Sequence, residues 1–262
     1  MTQNVLRVRS GRGIGDSLYL RPIVDHFVEQ GRAVVALSDH PAIFHGSGAT
    51  VEAFTRQGSP TVAHYTETMH HQETTQYQDM LRRAGIEISV PLRFRWTVQN
   101  RRLVDALLKQ AAGRPLILVH GGRVPMQRTD DFGRDLIPKR QAFEAALDAL
   151  GDCYRVRIGK APNLYPLPVD EDLGKRTTVA DLLDLATICS GMVAQCSFAV
   201  PLAEVFDKPL LAVWSASGLA SSTAYIRTIT PKKVLTKTTS RFVVDDWMPD
   251  RIAEAARALH SV

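Results

Sequence analysis

The chain has 262 residues, 45% hydrophobic and 23% charged, with a formal net charge of +5 and a pI near 9.2. These values exclude a disordered chain and a histone-like polycation, and leave one or two globular domains. The mild basic excess suits either plain solubility or an anionic ligand, acceptor or surface.

In chain order, Val5-Leu6-Arg7-Val8 predicts a short strand, Ser10 to Ser17 a glycine-rich turn, and Leu20, Ile23, Val24, Phe27 and Val28 a helix that Gly31 ends. Residues 33–37 predict a buried strand, which completes a β-loop-α-β unit. Residues 40–75 lack periodicity and read as loops with short elements. Helices are expected over 77–84 and 98–112, the second broken by Gly113-Arg114-Pro115. A second series follows: strand 116–119 and then His120-Gly121-Gly122, helix 139–150, strand 154–158, a helix over 179–189 capped by Thr178 with Asp181 in its first turn, strand 192–195, helix 200–206, strand 210–214 and a terminal helix over 249–260. Strands and helices thus alternate twice with a break near Gly113. The expected fold is α/β: two Rossmann-like domains facing across a cleft, over 1–112 and 113–245. Residues 246–262 are expected as a helix packing back toward the first domain. Ligands of such sheets lie beyond the carboxyl ends of the strands.

Three cysteines, Cys153, Cys189 and Cys196, lack CxxC spacing and predict a reduced, cytoplasmic setting. The first residues are too short and polar for a signal peptide, and no apolar run nears the ~20 residues of a membrane span, so any membrane contact is expected to be peripheral.

Three loops carry candidate chemistry. The first is Ser10-Gly11-Arg12-Gly13-Ile14-Gly15-Asp16-Ser17. Its glycines permit a tight turn and close approach of a ligand, but they miss the dinucleotide spacing, and Asp16 would repel a pyrophosphate. Asp16 reads either as a helix cap or as a carboxylate facing the cleft. In the second, Gln195-Cys196-Ser197-Phe198, a strand ends and a helix begins with Pro201 in its first turn; Ser197 reads as a cap or as part of an anion site. The third, His120-Gly121-Gly122-Arg123, follows a strand, with Arg128, Arg134 and Lys139 behind it, and reads as a solvated basic loop or as a diphosphate neutraliser.

Other patterns carry less. Asp170-Glu171-Asp172 follows a proline-rich stretch and reads as a solvated turn rather than a metal clamp, and His70-His71 lacks a ligand at i+4, so no metal is expected. Arg93-Phe94-Arg95-Trp96, near Arg82-Arg83 and Arg101-Arg102, reads as an edge strand or as a phosphate-and-base surface.

In order and context the three loops resemble the heptosyltransferase family of GT-B glycosyltransferases. The family opens with Gly-Asp-x-x-x-x-x-Pro after its first strand, matched by Gly15-Asp16 through Pro22. Its second half opens on a strand ending in His-Pro-Gly, where His120-Gly121-Gly122 stands here. It closes with Asp-Ser-Gly-x-x-His-x-Ala and Gly-Lys-Pro, matched at Ser197, Ala203, Lys208 and Pro209, whereas Cys196, Phe198 and Pro201 replace the family's Asp, Gly and His. A Lys-x-Trp-Pro motif is replaced by Asp135-Leu136-Ile137-Pro138, with Arg134 nearby.

The resemblance implies a glycosyltransferase that moves a sugar from a nucleotide-diphosphate-sugar to an acceptor hydroxyl, without a metal or cofactor. It implies Asp16 as general base and a donor site at Gly121, Gly122, Arg123, Arg134, Gln195, Cys196, Ser197 and Phe198, with Glu204 toward a ribose hydroxyl. Gly13, Gly15 and Ser17 would form the acceptor-side loop. The acceptor would be a saccharide of lipopolysaccharide type or a hydroxymethylated base in phage DNA. The alternative is a catalytically degenerate nucleotide- or nucleic-acid-binding module of the same fold.

Overall fold

The computed structural model describes residues 5–55, 60–63, 75–121, 137–160, 165–217, 240–246 and 249–259. It is an α/β fold with two sheets, and every strand pairing in both is parallel. The first half runs β1 (Leu6–Arg9), α1 (Ile14–Glu29), β2 (Val34–Leu37), a 3-10 turn (Pro41–Phe44), β3 (Thr50–Glu52), β4 (Thr61–Val62) and α2 (Gln76–Arg83). The second runs α3 (Arg101–Ala111), β5 (Leu116–His120), α4 (Arg140–Ala149), β6 (Tyr154–Arg157), β7 (Glu171–Asp172), α5 (Val179–Ile188), β8 (Gly191–Gln195), α6 (Ala199–Val205), β9 (Leu210–Trp214), β10 (Ser240–Val244) and α7 (Pro249–Ala258).

The strand orders, β3-β2-β1-β4 and β10-β9-β8-β5-β6-β7, each contain one reversal. In the first sheet it lies between β1 and β4, in the second between β5 and β8. At such a point the connections leave in opposite directions and open a crevice beyond the carboxyl ends of the strands.

Local chemistry explains the element ends. Gly31, Gly85, Gly113 and Gly151 all have positive φ just past their helices. Thr178 caps α5 with its hydroxyl on the Asp181 N–H, and Asp181 answers on the Thr178 N–H. Helix α1 starts earlier than the glycine-rich turn suggests, because Asp16 at its third position accepts the Gly13 N–H at 3.1 Å. The expected solvated turn over 170–172 contains edge strand β7. Its carboxylates serve arginines: Asp170 binds Arg114, Asp172 binds Arg157 and Glu171 binds Arg176. Strand β10 was not expected; it follows a Lys- and Thr-rich stretch without alternation.

Residues 93–96 form no strand. They still alternate, with Arg93 and Arg95 exposed and Phe94 and Trp96 turned inward. Phe94 meets Phe206 edge-on and lies under the Arg21 guanidinium, and Trp96 Nε1 donates to Asp184 at 2.7 Å. Fully buried Asp184 also accepts the backbone N–H groups of Gln99 and Asn100. The Asn100 side chain caps α3 and donates to Asp181. The segment is thus stapled to α5, and α3 rests on the second half. The chain therefore crosses between halves before α3, not at Gly113.

The halves share one hydrophobic cluster, which runs from Val8, Leu18, Ile23 and Ala36 to Leu118, Met192, Ala194, Leu202 and Trp214. A second cluster covers the other face of the second sheet, where Ile117, Val119, Val193 and Val213 meet Phe143 and Leu147 of α4 and Ile252 and Ala256 of α7. The terminal helix therefore packs on α4 and the second sheet, not toward the first half. Its apolar residues repeat at i and i+4, and the face they must cover lies beside β9 and β10.

Candidate functional site

The loops that follow β1 and β8 meet, and both leave a strand at its sheet's reversal point. Helix α1 lies against α6. Gly15, in the first turn of α1, is so close to α6 that a Cβ there would stand 3.1 Å from Pro201 Cγ and 3.6 Å from Phe198 Cα. Beside it, the Asp16 carboxylate fills the space over Gly11, where a Cβ would stand 2.2 Å from Oδ2. Asp16 is half-buried, so it keeps access to solvent. Gly13 is the N-cap of α1. Ser17 departs from the acceptor-side expectation: it is buried, and its hydroxyl pairs with that of Ser38 at 2.9 Å.

On the other side, Gln195 ends β8 fully buried, and Cys196, Ser197 and Phe198 follow half-buried. Ser197 Oγ accepts the Ala199 N–H at 3.2 Å, while Phe198 is the N-cap of α6 without a side-chain cap bond. The Phe198 ring stands edge-on to His120 with centroids 4.7 Å apart, so the loop after β8 touches the end of β5. Burial pushes the Cys196 thiol up to about 12, so it is neutral at physiological pH. Where the family carries an aspartate, this chain therefore presents no charge.

Two expected donor residues have structural tasks. A Cβ on Gly121 would stand 2.3 Å from the Phe143 ring, so the ring, not a ligand, requires glycine there. Glu204 is 1% exposed and accepts the Ser240 hydroxyl at 2.9 Å, which places it between α6 and β10. Lys208, matched to the family's Gly-Lys-Pro, donates to the Thr187 carbonyl. Gly122, Arg123 and Arg134 lie outside the described residues.

The sequence reading missed Tyr19. It stands one turn after Asp16 on the same face of α1, 3% exposed, with no hydrogen-bond partner for its hydroxyl among the described residues. Its pKa is raised well above the ordinary value, by burial first and then by the carboxylates of Glu204 and Asp16. Its place at i+3 from Asp16 was the available signal. The sequence reading also missed Asp245 just past β10, which accepts the N–H groups of Lys139 and Ala216 and so ties the start of α4 to the segment after β9. Among the described residues no three His, Cys, Asp or Glu side chains cluster to hold a metal, and no helix is long and apolar enough to cross a membrane.

No family model matches the sequence, and no curated protein matches it by sequence. Solved structures do match the fold. The Escherichia coli ADP-heptose lipopolysaccharide heptosyltransferase II aligns with 97% of this chain and 98% of its own at 12% identity, with a TM-score of 0.60. A family 9 glycosyltransferase from Veillonella parvula aligns over 100% and 99% at 9% identity, with a TM-score of 0.66. The iron-containing dodecameric glycosyltransferase TibC of enterotoxigenic E. coli aligns over 98% and 74% at 14% identity, with a TM-score of 0.58. The parallel sheets, the Gly-Asp loop after the first strand and these alignments agree: the chain has the fold of the heptosyltransferase-like glycosyltransferases.

Proposed function

We propose that the protein transfers a sugar from a nucleotide-diphosphate-sugar to an acceptor hydroxyl at the seam between α1 and the Gln195–Phe198 loop. The observation that carries this reading is the meeting of two reversal-point loops, with the Asp16 carboxylate at the contact. We take residues 1–100 and 101–245 as the working division of the chain, which moves α3 to the second unit, and infer that the halves part along this seam to form a donor cleft.

In this reading Asp16 takes the proton of the acceptor hydroxyl as its oxygen bonds to the anomeric carbon. The bond from that carbon to the diphosphate oxygen breaks, and its electron pair leaves with the phosphate. The N–H groups after Ser197, together with Arg123 and Arg134, would receive the growing charge. With only seven residues in α6, its dipole is a minor contributor. The neutral Cys196 leaves that side free of a repelling carboxylate. We read the transfer as needing neither metal nor cofactor. Since TibC contains iron, assays belong both with chelator and with added metal.

The donor named for heptosyltransferase II, ADP-heptose, is the first to test, with a lipopolysaccharide-type saccharide as acceptor. A modified-DNA acceptor is less well supported, because the aromatic rings at 94 and 96 are turned inward and cannot stack on bases. Asp16→Asn should lower transfer by about 10²–10⁴-fold while the donor dissociation constant stays put. Transfer at the parental rate would reduce Asp16 to a helix cap. A second reading, a binding module without turnover, draws on Phe198, which stands against His120 and Gly15 where the family has glycine. That reading predicts nucleotide binding with no transfer to any acceptor.

A further inference from the structure

Two buried tyrosines, Tyr19 of α1 and Tyr77 of α2, stack with ring centroids 6.1 Å apart, and neither hydroxyl has a hydrogen-bond partner among the described residues. A buried phenol normally finds a partner, and one left without costs stability. Such an exception has a cause: catalysis, binding, or a water that fills the gap.

The two hydroxyls face different surroundings. The charge that acts on Tyr77 is that of Asp25, toward the far end of α1. Tyr19 instead has the carboxylates of Glu204 and Asp16 about its hydroxyl, with the Cys196 sulfur close by. Side chains of a helix lean back over the preceding turn, so the Tyr19 ring covers the turn of Gly15 and Asp16. Gly15, at i−4 on the same stripe of α1, is where α1 touches α6, since a Cβ on it would stand 3.1 Å from Pro201 Cγ. The Tyr19 hydroxyl therefore stands at the seam, with Asp16 on one side and the loop after β8 on the other.

Chemistry selects what can meet it there. The carboxylates of Asp16 and Glu204 disfavour a phosphate beside the hydroxyl and, with burial, keep the phenol protonated. A neutral sugar hydroxyl suits such a place, because it accepts from the phenol while donating to a carboxylate. The transfer proposed above leads to the same location. Its anomeric carbon lies between the acceptor oxygen at Asp16 and the diphosphate at the N–H groups after Ser197. A group near both Asp16 and Cys196 then lies beside the sugar that moves.

We propose that Tyr19 recognises the sugar of the donor: as the halves part along the seam, its hydroxyl is uncovered and donates a hydrogen bond to an oxygen of that sugar. This role rests on the transfer reading and adds to it a residue that separates a nucleotide-sugar from the bare nucleotide. The closed seam leaves the hydroxyl without a partner among the described residues, and the bound sugar supplies one.

The test is calorimetric titration of the parent, Tyr19→Phe and Tyr77→Phe with nucleoside diphosphates and the matching nucleotide-sugars, ADP and ADP-heptose first. Both variants keep the stacked rings, so each is expected to melt no lower than the parent. One lost hydrogen bond changes affinity about five-fold. Tyr19→Phe should therefore bind the nucleotide-sugar about five-fold more weakly than the parent, while the bare nucleotide keeps its dissociation constant. Tyr77→Phe should leave both constants unchanged, and a like loss there would overturn the proposal. Parental affinity of Tyr19→Phe for the nucleotide-sugar would also overturn it and leave the hydroxyl a buried water at most. Equal weakening toward nucleotide and nucleotide-sugar would overturn it as a general disturbance of the seam. A parent that binds neither kind of ligand contradicts the transfer reading itself, and the role of Tyr19 falls with it.

Discussion

The central strands of the two sheets, β1 and β5, are covered differently, although β2 of the first sheet is also buried at every residue. Every residue of β5, β8 and β9 is buried, and the second sheet has apolar clusters on both faces. In the first sheet, Leu6 and Val8 of β1 face the shared cluster, while Arg7 and Arg9 point the other way. There Arg7 pairs with Glu52 at 2.7 Å, and the Arg9 guanidinium stands near the Phe54 ring. A parallel sheet buried on both faces reads as a continuous apolar run, one buried on a single face as alternation. Leu116-Ile117-Leu118-Val119 and Leu6-Arg7-Val8-Arg9 are the two cases. Helix α1, which follows β1, brings Asp16 against the loop that follows β8 of the second sheet.

Substitutions can sharpen this contrast. The largest stability effect is expected at the second sheet. Gly121→Ala forces a methyl group into the Phe143 ring and should cost about 1–3 kcal/mol in denaturant unfolding. If stability is unchanged, Gly121 is free for a ligand after all. Next comes the seam. Tyr19→Phe removes a buried hydroxyl without a partner among the described residues and should raise stability by about 1 kcal/mol. A loss of stability would mean that the hydroxyl is satisfied, and a loss of transfer without a loss of stability would place it in the reaction. The smallest effect is expected at the exposed Arg7–Glu52 ion pair of the first sheet. Arg7→Ala breaks an ion pair exposed at 43% and 46% and should cost at most about 1 kcal/mol, less at high salt. A larger cost would show that the face carrying this pair is covered as firmly as the second sheet.

Much of this was legible in the sequence. The apolar runs mark β5, β8 and β9, Thr178 and Asp181 mark the start of α5, and the positive-φ glycines mark helix ends. The Gly-Asp loop was placed correctly, but the start of α1 was not, because the turn glycines hide a helix that Asp16 nucleates. The role of residues 93–100 depends on Asp184, which lies more than eighty positions away, so local reading could not choose between edge strand and surface. Shorter separations were enough to hide the tasks of Gly121 and Glu204, whose partners Phe143 and Ser240 only the fold brings near. The terminal helix was misplaced because its amphipathic pattern shows that it must pack but not on what.

The most direct test of the central claim is calorimetric titration with ADP, other nucleoside diphosphates and their sugars, on the parent chain and on Ser197→Trp, with and without metal. The account predicts that one nucleotide binds the parent in the micromolar range and that the variant loses it, because Ser197 stands where the two loops meet. No binding to the parent under any condition, or the same dissociation constant in the variant, would contradict a donor site at this seam.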